Sequence, residues 1–518
     1  MNQYTRSLQK IIATGVFVTC IAILLFPLQV KAGYVAAPTS YNYLEAFPNY
    51  KVAVILVTFT DNPTKPKIYG TKNPWTKNFV TGELFSNTYS MASYFTEVSN
   101  GEVSVTGDVF DNNGSWYVID TPATETDGDC DWTSYFGDAI AAADADIDYT
   151  QYNTIMVLSR QKLCGAEGLA SHTPVPEAGN VRYGIVDING NMGSNPHHEL
   201  AHLMGLAHAN SWQCDPPAVI NGTNCREVEY ADHYNIMGAT GSRSLLLTAQ
   251  QRENYGWLPP ADVITVTQSK DFTIYPYQLA GVGPKVLKIP QARDANGDVT
   301  SWYYLEYRQS IGFDNVTGYI PTMQQLGVPN GVLVHMGNST GTRFSSTILD
   351  MTPGSQRGGM DIYDPALPLG SSYSDPVAGV SFGVLARNAS AMAIRVRFTG
   401  ESLCEWKAPS VTAKAIKSIG KPGQELSFNV TVKHNSVLCG GRTAELRVTN
   451  LPKGWAATVN KKKSATAVIV SGQTQTFVVR LTSPKKTKYQ KFTATVEARM
   501  VKKPTLKSTA KLTSLIRR

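Results

Sequence analysis

Beyond its first thirty residues, this chain of 518 amino acids lacks any apolar run long enough to cross a bilayer, which excludes a transmembrane helix from its body. Cysteine is sparse too. There are seven, none in CxxC spacing, which argues against a zinc site built from thiolates. Acidic residues almost vanish from the tail: Leu403 to Arg518 holds 4 Asp+Glu against 23 Lys+Arg, a net of +19. The first 32 residues carry +3 and the whole chain +7, so residues 33–402 carry −15. An acidic body joined to a basic tail is an asymmetry that concerns partners and not fold.

What is present begins with an export pattern. Arg6 and Lys10 precede an uncharged run from Ile11 to Val30, Pro27 interrupts it, and Val30-Lys31-Ala32 offers small residues at a cleavage position. This predicts a signal peptide over residues 1–32 and a secreted protein with no transmembrane segment after cleavage; an uncleaved membrane anchor is the alternative. Cys20 would leave with the signal. The other six cysteines fall into neighbouring couples, Cys130 and Cys164, Cys214 and Cys225, Cys404 and Cys439. An even number in an exported chain favours disulfides, with nearest-neighbour pairing preferred among several possible connectivities.

Residues 33–518 are too many for one hydrophobic core. "KVAVILVTF" (51–59), "YNTIMVLS" (152–159) and "NVRYGIVDING" read as strands, while "NTYSMASYFTEVSNG" and "YFGDAIAAADA" read as helices. Their alternation up to residue 210 predicts a domain that mixes helices with a sheet. From about residue 263 to 398 the pattern turns to short strand candidates such as "SWYYLEYR" and "MAIRVRF", as in an all-β sandwich or barrel. Within it "RDANGDVT" is either the start of a structural Ca²⁺ loop without its spaced glutamate or a plain hairpin turn. In the tail, Leu426, Phe428, Val430 and Val432 alternate with polar residues, as do Phe477, Val479 and Leu481, which predicts an immunoglobulin-like sandwich.

Four of the eight histidines, His197, His198, His202 and His208, lie in "SNPHHELAHLMGLAHAN" (194–210). Asn195 suits an N-cap and Pro196 the first helical position. A helix starting there puts His198 and His202 one turn apart on one face, where two imidazoles can share a metal ion. Glu199 reaches the space beside it. Gly205 permits the backbone conformation that ends the helix, and His208 can then return as a third ligand. Three neutral ligands leave one position open, as in catalytic zinc sites. His197 points off that face and is the bystander. HExxH alone is expected by chance in roughly one or two of every hundred chains this long, so a solvated His–Glu–His face is the plain alternative; Gly205 and His208 cut that rate to about one in tens of thousands.

"HELAHLMGLAH" resembles the zinc signature of the metzincin metalloproteases. "YADHYNIMGAT" (230–240) supplies Met237 where that clan has a methionine turn beneath the metal. Ala209, the Tyr-x-Asp before Met237-Gly238, "LTAQQRENYGWL", "YLEYR" (304–308) and "GVLVHMG" (331–337) look like the gametolysin family and its bacterial relatives. The resemblance covers roughly residues 48 to 400 and implies an α+β metzincin-like catalytic domain (33–262), a β-rich accessory domain (263–402) and a basic Ig-like module (403–518). Residues 33–47 are too few for a folded prodomain.

The resemblance implies a secreted zinc endopeptidase in which one Zn²⁺, held by His198, His202 and His208, activates a water, with Glu199 as general base. Its substrate would be a protein or peptide. Met237 would pack beneath the ligands. Tyr230, His233 and Tyr234 read as structural, and Asp232 as fixing local backbone hydrogen bonds. A non-catalytic surface adhesin on a protease scaffold, and a zinc hydrolase for a non-peptide bond, are the rivals. Clustered lysines in the tail suggest attachment to an anionic cell-surface or extracellular polymer; nucleic acid is not expected as a partner of an exported chain.

Overall fold

The computed structural model describes residues 48–60, 75–120, 132–159, 168–171, 185–189, 192–239, 244–315, 328–338, 346–355 and 361–518. The expected signal peptide and the Cys130–Cys164 couple lie outside them.

Strand β1 (Asn49–Phe59) is buried from Val52 to Val57. A continuous apolar run is stable as a strand only if both faces and both edges are covered. Parallel strands β2 (Ser104–Phe110) and β4 (Thr154–Ser159) flank β1, and β3 (Tyr117–Ile119) pairs with its end. The sheet continues through β6 (Ile185–Asn189) to the antiparallel edge strand β5 (Gly168–Ser171). Side chains alternate across a strand, so Val52, Val54 and Leu56 enter one core and Ala53, Ile55 and Val57 another. The first core takes Val80 from α1 (Lys77–Thr81), Tyr94 and Phe95 from α2 (Met91–Val98), and Leu200 and Leu203 from α4 (Asn195–Leu203). The second is closed by Tyr135, Phe136 and Ile140 of α3 (Trp132–Ala143).

The chain beyond the histidine segment joins a different sheet. Strands β7 (Asn210–Gln213) and β8 (Arg226–Val228) form its rim, closed by the Cys214–Cys225 disulfide. After α5 (Ala249–Asn254) come β9 (Val263–Thr265), β10 (Lys270–Ile274), β11 (Val286–Arg293), β12 (Val299–Glu306), β13 (Gly331–Asn338) and β14 (Thr347–Leu349). β7 pairs in parallel with β14, and the order runs β8-β7-β14-β13-β12-β11-β9, with β15 (Leu367–Pro368) on β13. One sheet therefore spans residue 262 without a break. A second sheet of β10, β16 (Ser372–Asp375), β17 (Val380–Asn388) and β18 (Ala391–Phe398) shares its core through Leu287, Tyr303, Leu305, Phe382 and Ile394. Between Ser410 and Ile516 a four-stranded and a five-stranded sheet enclose Leu426, Phe428, Val430, Phe477, Val479 and Val496. The Cys404–Cys439 disulfide ties the start of this sandwich to its body.

The expected fold class, an α+β metzincin-like catalytic domain followed by an all-β domain and an Ig-like sandwich, is corrected by this architecture. The described residues are mostly β, with 46% in strands against 15% in helices, so helices are accessories to sheets. The α-helices among the described residues run from five to twelve residues. The physical reason is the density of β-branched and aromatic alternation after residue 260, which favours pleated pairing over helical packing. The "RDANGDVT" segment forms the hairpin turn between β11 and β12, where Asp294 Oδ1 accepts the amides of Asn296 and Asp298 at 2.9 Å each. The two disulfides are consistent with an extracellular protein. No helix among the described residues is long and apolar enough to cross a membrane.

Candidate metal centre

Helix α4 starts one residue before the expected point. Ser194 takes the cap position, without a side-chain cap bond, and Asn195 and Pro196 are the first two helical residues. Proline is tolerated at either, because amides of the first turn have no intrahelical partner. The helix ends in a Schellman motif: Gly205 N–H donates to His202 O at 2.8 Å and Leu206 N–H to Ala201 O at 3.2 Å. Gly205 has φ +92°, the left-handed value this reversal requires. The reversal carries His208 back to His198 and His202.

Each of these imidazoles is held by its Nδ1. His198 Nδ1 lies 2.8 Å from Ile236 O, His202 Nδ1 2.7 Å from Leu206 O, and His208 Nδ1 2.6 Å from Glu229 Oε1. Carbonyl oxygens only accept, so Nδ1 of His198 and His202 carries the proton and Nε2 carries a lone pair. Yet these two Nε2 atoms face each other at 3.0 Å. Two lone pairs at that distance repel unless a cation lies between them. Protonating one ring is disfavoured, because burial, aided by His208, pushes the His198 pKa down to about 4. The ligand atoms of all three histidines lie within 4.8 Å of one another, the one such group of His, Cys, Asp or Glu found among the described residues. A tetrahedral ion with metal–nitrogen bonds of about 2.0–2.1 Å sets neighbouring donors roughly 3.3 Å apart, close to the spacing here.

His197 is elsewhere. It is buried, packs edge-on against Tyr94 and Phe313 with ring centroids 5.2 and 6.4 Å away, and burial lowers its pKa to about 3.

Glu199 is buried on the cleft side of α4. A Cβ on Gly168 of β5 would stand 2.5 Å from Glu199 Oε1, so only glycine lets the edge strand pass this carboxylate. The cleft, about 510 Å³, is lined by Gly168, Leu169 and Ala170 on one side and by Glu199, Glu229 and Tyr230 with the three histidines on the other. Gly168 carried no signal in the sequence, because one glycine among 42 stands out only once its neighbour is known.

Met237 is fully buried, in the same core as Leu200 and Leu203 of α4. The surrounding turn acts through its backbone: Ile236 O orients His198, and Met237 O accepts Ala209 N–H at 2.9 Å, beside His208. Asp232 Oδ1 accepts Tyr234 N–H and Asn235 Oδ1 accepts Met237 N–H, both at 2.9 Å. Gly238 is demanded by close approach, since a Cβ there would lie 1.9 Å from Asp232 O. His233 bonds Ala239 O within the turn, and the Tyr234 hydroxyl donates to Tyr363 O, tying the turn to a distant segment.

Tyr230 differs from these two. It is 40% exposed, it lines the cleft, and its ring centroid is 3.7 Å from that of His208 and 6.1 Å from that of His198. Partial burial, then the charges of Glu229 and Glu199, raise its phenol pKa.

The turn is anchored by residues at and just beyond the end of β12. Arg308, fully buried, donates to Tyr234 O (2.9 Å), Leu246 O (3.1 Å) and Leu247 O (3.1 Å), and pairs with Glu306 at 2.8 Å. Glu306 Oε1 accepts Ala249 N–H, and Asp314 Oδ1 accepts Leu246 N–H. These anchors lie 57 to 74 residues from the backbone groups they hold, beyond the reach of local pattern reading.

No protein-family model matches this chain, and no curated protein does. Among solved structures, the sporulation control protein Spo0M of Bacillus subtilis is 13% identical over 21% of this chain and 50% of that one, TM-score 0.15. A CARDB domain of Pyrococcus furiosus is 12% identical over 22% of this chain and 91% of that one, TM-score 0.15. The adhesin InvE of Yersinia pseudotuberculosis is 9% identical over 35% and 53%, TM-score 0.16. This chain thus spans only about half the length of the first and third. At these TM-scores the likenesses carry no structural or functional argument.

Proposed function

We propose that this chain is a secreted zinc-dependent endopeptidase. The observation that carries the reading is the approach of the Nε2 atoms of His198 and His202 to 3.0 Å, with His208 completing the set. Neutral imidazoles suit several transition metals; the choice of zinc rests on the resemblance of "HELAHLMGLAH" to the metzincin signature. Zinc bound by His198, His202 and His208 would supply Lewis acidity, which polarises a carbonyl and makes water a better nucleophile.

The chain's own residues supply the rest. Glu199 takes a proton from the attacking water and delivers it to the departing amine nitrogen. Its burial beside Gly168 keeps the carboxylate in the cleft. Glu229 holds His208 by Nδ1, fixing the ring orientation. Among the described residues β5 is the last strand of its sheet and lines the cleft, a place suited to an extended peptide. The basic tail serves as an attachment module for an anionic extracellular or cell-surface polymer, a reading supported by the exposure of Lys461, Lys462, Lys463, Lys485, Lys486 and Lys503.

The test is hydrolysis of casein or a fluorogenic peptide by the full chain. Activity that is lost to a chelator and restored by zinc is expected. Stoichiometric zinc binding without peptide cleavage would overturn the reading in favour of a binding protein or a hydrolase for another bond.

A further inference from the structure

Tyr230 has a backbone that tyrosine does not adopt freely. Its φ is +61°, in the left-handed region where a bulky side chain is an outlier costing on the order of 1–3 kcal/mol. The strain is held in place from both ends. Tyr230 N–H donates to Asn210 Oδ1 at 3.2 Å, and Tyr230 O accepts Ala239 N–H at 2.7 Å. Asn210 lies two residues after His208, and Ala239 two after Met237, so both supports belong to the segments that frame the three histidines. A turn alone would be better served by glycine or asparagine here.

The strained position directs the ring into the cleft. There it lies over His208 and alongside His198, the latter nearly parallel at 20°. Among the described residues the phenol hydroxyl has no hydrogen-bond partner, although the ring is more than half covered. Tyr230 is 40% exposed and lines the cleft, so it is open to a bound molecule. Glu199 cannot serve as a donor to a carbonyl that gains negative charge, since it is needed as a base, and the three imidazoles have their N–H groups turned away. Among the cleft side chains, that leaves the phenol and the amide of Asn210, whose oxygen is already turned to Tyr230 N–H.

We infer that Tyr230 is a catalytic residue of the proposed peptidase: its hydroxyl donates a hydrogen bond to the scissile carbonyl oxygen as that oxygen becomes negative. This rests on the endopeptidase reading. A donor aimed at developing charge strengthens in the transition state and contributes mainly to kcat; removing one costs roughly 10²–10³-fold.

The test compares the full zinc-loaded chain with Tyr230→Phe, which keeps ring and backbone, and Tyr230→Asn, which tolerates the left-handed backbone if the first fails to fold. Zinc affinity, by competition with a chromophoric chelator, should stay within about threefold, because the phenol is not a ligand. The kcat for a fluorogenic peptide should fall at least about 30-fold with KM little changed, in line with loss of one such donor. A phosphinic peptide, which carries negative oxygen where the carbonyl stood, should bind at least about tenfold more weakly to both variants, by calorimetry, while the matching cleavage product binds equally. Wild-type kcat and phosphinic affinity in either folded variant overturn the inference and leave the peptidase reading intact. Loss of zinc from both variants also overturns it, making Tyr230 a support for His208. A wild-type chain that holds zinc and cleaves no peptide overturns both.

Discussion

His335 Nε2 on β13 lies 3.1 Å from Asp232 Oδ2 at the start of the methionine turn, and both side chains are fully buried. The other ring nitrogen is 3.6 Å from Glu306 Oε1, beyond hydrogen-bonding distance. His335 therefore stands between two buried carboxylates contributed by different parts of the chain. Replacing it with leucine strips Asp232 Oδ2 of its donor and removes the polar group between two buried carboxylates, although Tyr234 N–H still serves Asp232 and Arg308 still pairs with Glu306. Breaking a buried pair of this kind costs about 3–5 kcal/mol. His335→Leu should lower the denaturant midpoint markedly and release zinc more readily, and the double variant with Asp232→Asn should recover part of the loss. Equal stability of His335→Leu and wild type would show that the pair is not coupled.

Glu199→Ala should lose peptide cleavage by roughly 10²–10⁴-fold while keeping a full complement of zinc, because the carboxylate acts as base and not as ligand. Metal analysis of the purified variant, beside its rate, decides this. A variant that loses its zinc has the wrong role assigned.

The four clustered histidines should separate cleanly. His208→Ala should lose zinc on dialysis, an effect beyond the roughly 10–100-fold cost of an outer-shell partner. His197→Ala should keep zinc and lose stability instead, by an amount on the order of 2–4 kcal/mol, since it empties a site packed against Tyr94 and Phe313. The same zinc stoichiometry in both would mean that the wrong face of α4 carries the site.

Gly168→Ala should depress kcat without freeing zinc. The added methyl would meet Glu199 Oε1 at 2.5 Å, so either the carboxylate or β5 must move. Unchanged kcat would place the base elsewhere.

Asp350 gives the chain a pH-dependent term remote from the histidines. Burial, then the charges of Asp361 and Asp364, raise its pKa to about 7, against an ordinary value of 3.8. The folded state thus holds this proton more tightly than the unfolded state. Its contribution to stability is full below about pH 4 and is lost as pH rises through about 7. Asp350→Asn, which retains an oxygen for the Thr352 amide, should flatten the decline in thermal midpoint between pH 5 and pH 8, ranges set by the shift itself. An identical slope in the variant would remove Asp350 as its source.

Much of the local chemistry was legible in the sequence and much of the architecture was not. The one-turn spacing of His198 and His202 and the reversal at Gly205 follow from helix geometry, and both are found. The strand "KVAVILVTF" was equally plain, because an uninterrupted β-branched run must be covered on both faces. The fold class was misjudged, since a motif on a nine-residue helix weighed more than the strands around it. Tyr230 looked like any turn aromatic; its positive φ is set by Asn210 and Ala239, which pattern alone does not connect. Arg308 and His335 were read only as parts of strand motifs, because the partners through which they hold the turn lie 61 to 103 residues away.

That distance has a consequence for when the site comes into being. A chain made and exported from its N-terminus brings out His208 a hundred residues before Arg308 and well before His335. Until both arrive, the turn that presents Ile236 O to His198 lacks its buried anchors, and β7 lacks its partner β14. The histidines can meet a metal ion early, but the arrangement that aims them is completed only when residues up to 349 have folded back. Assembly order thus holds back the arrangement of the three histidines until the sheet around them has formed.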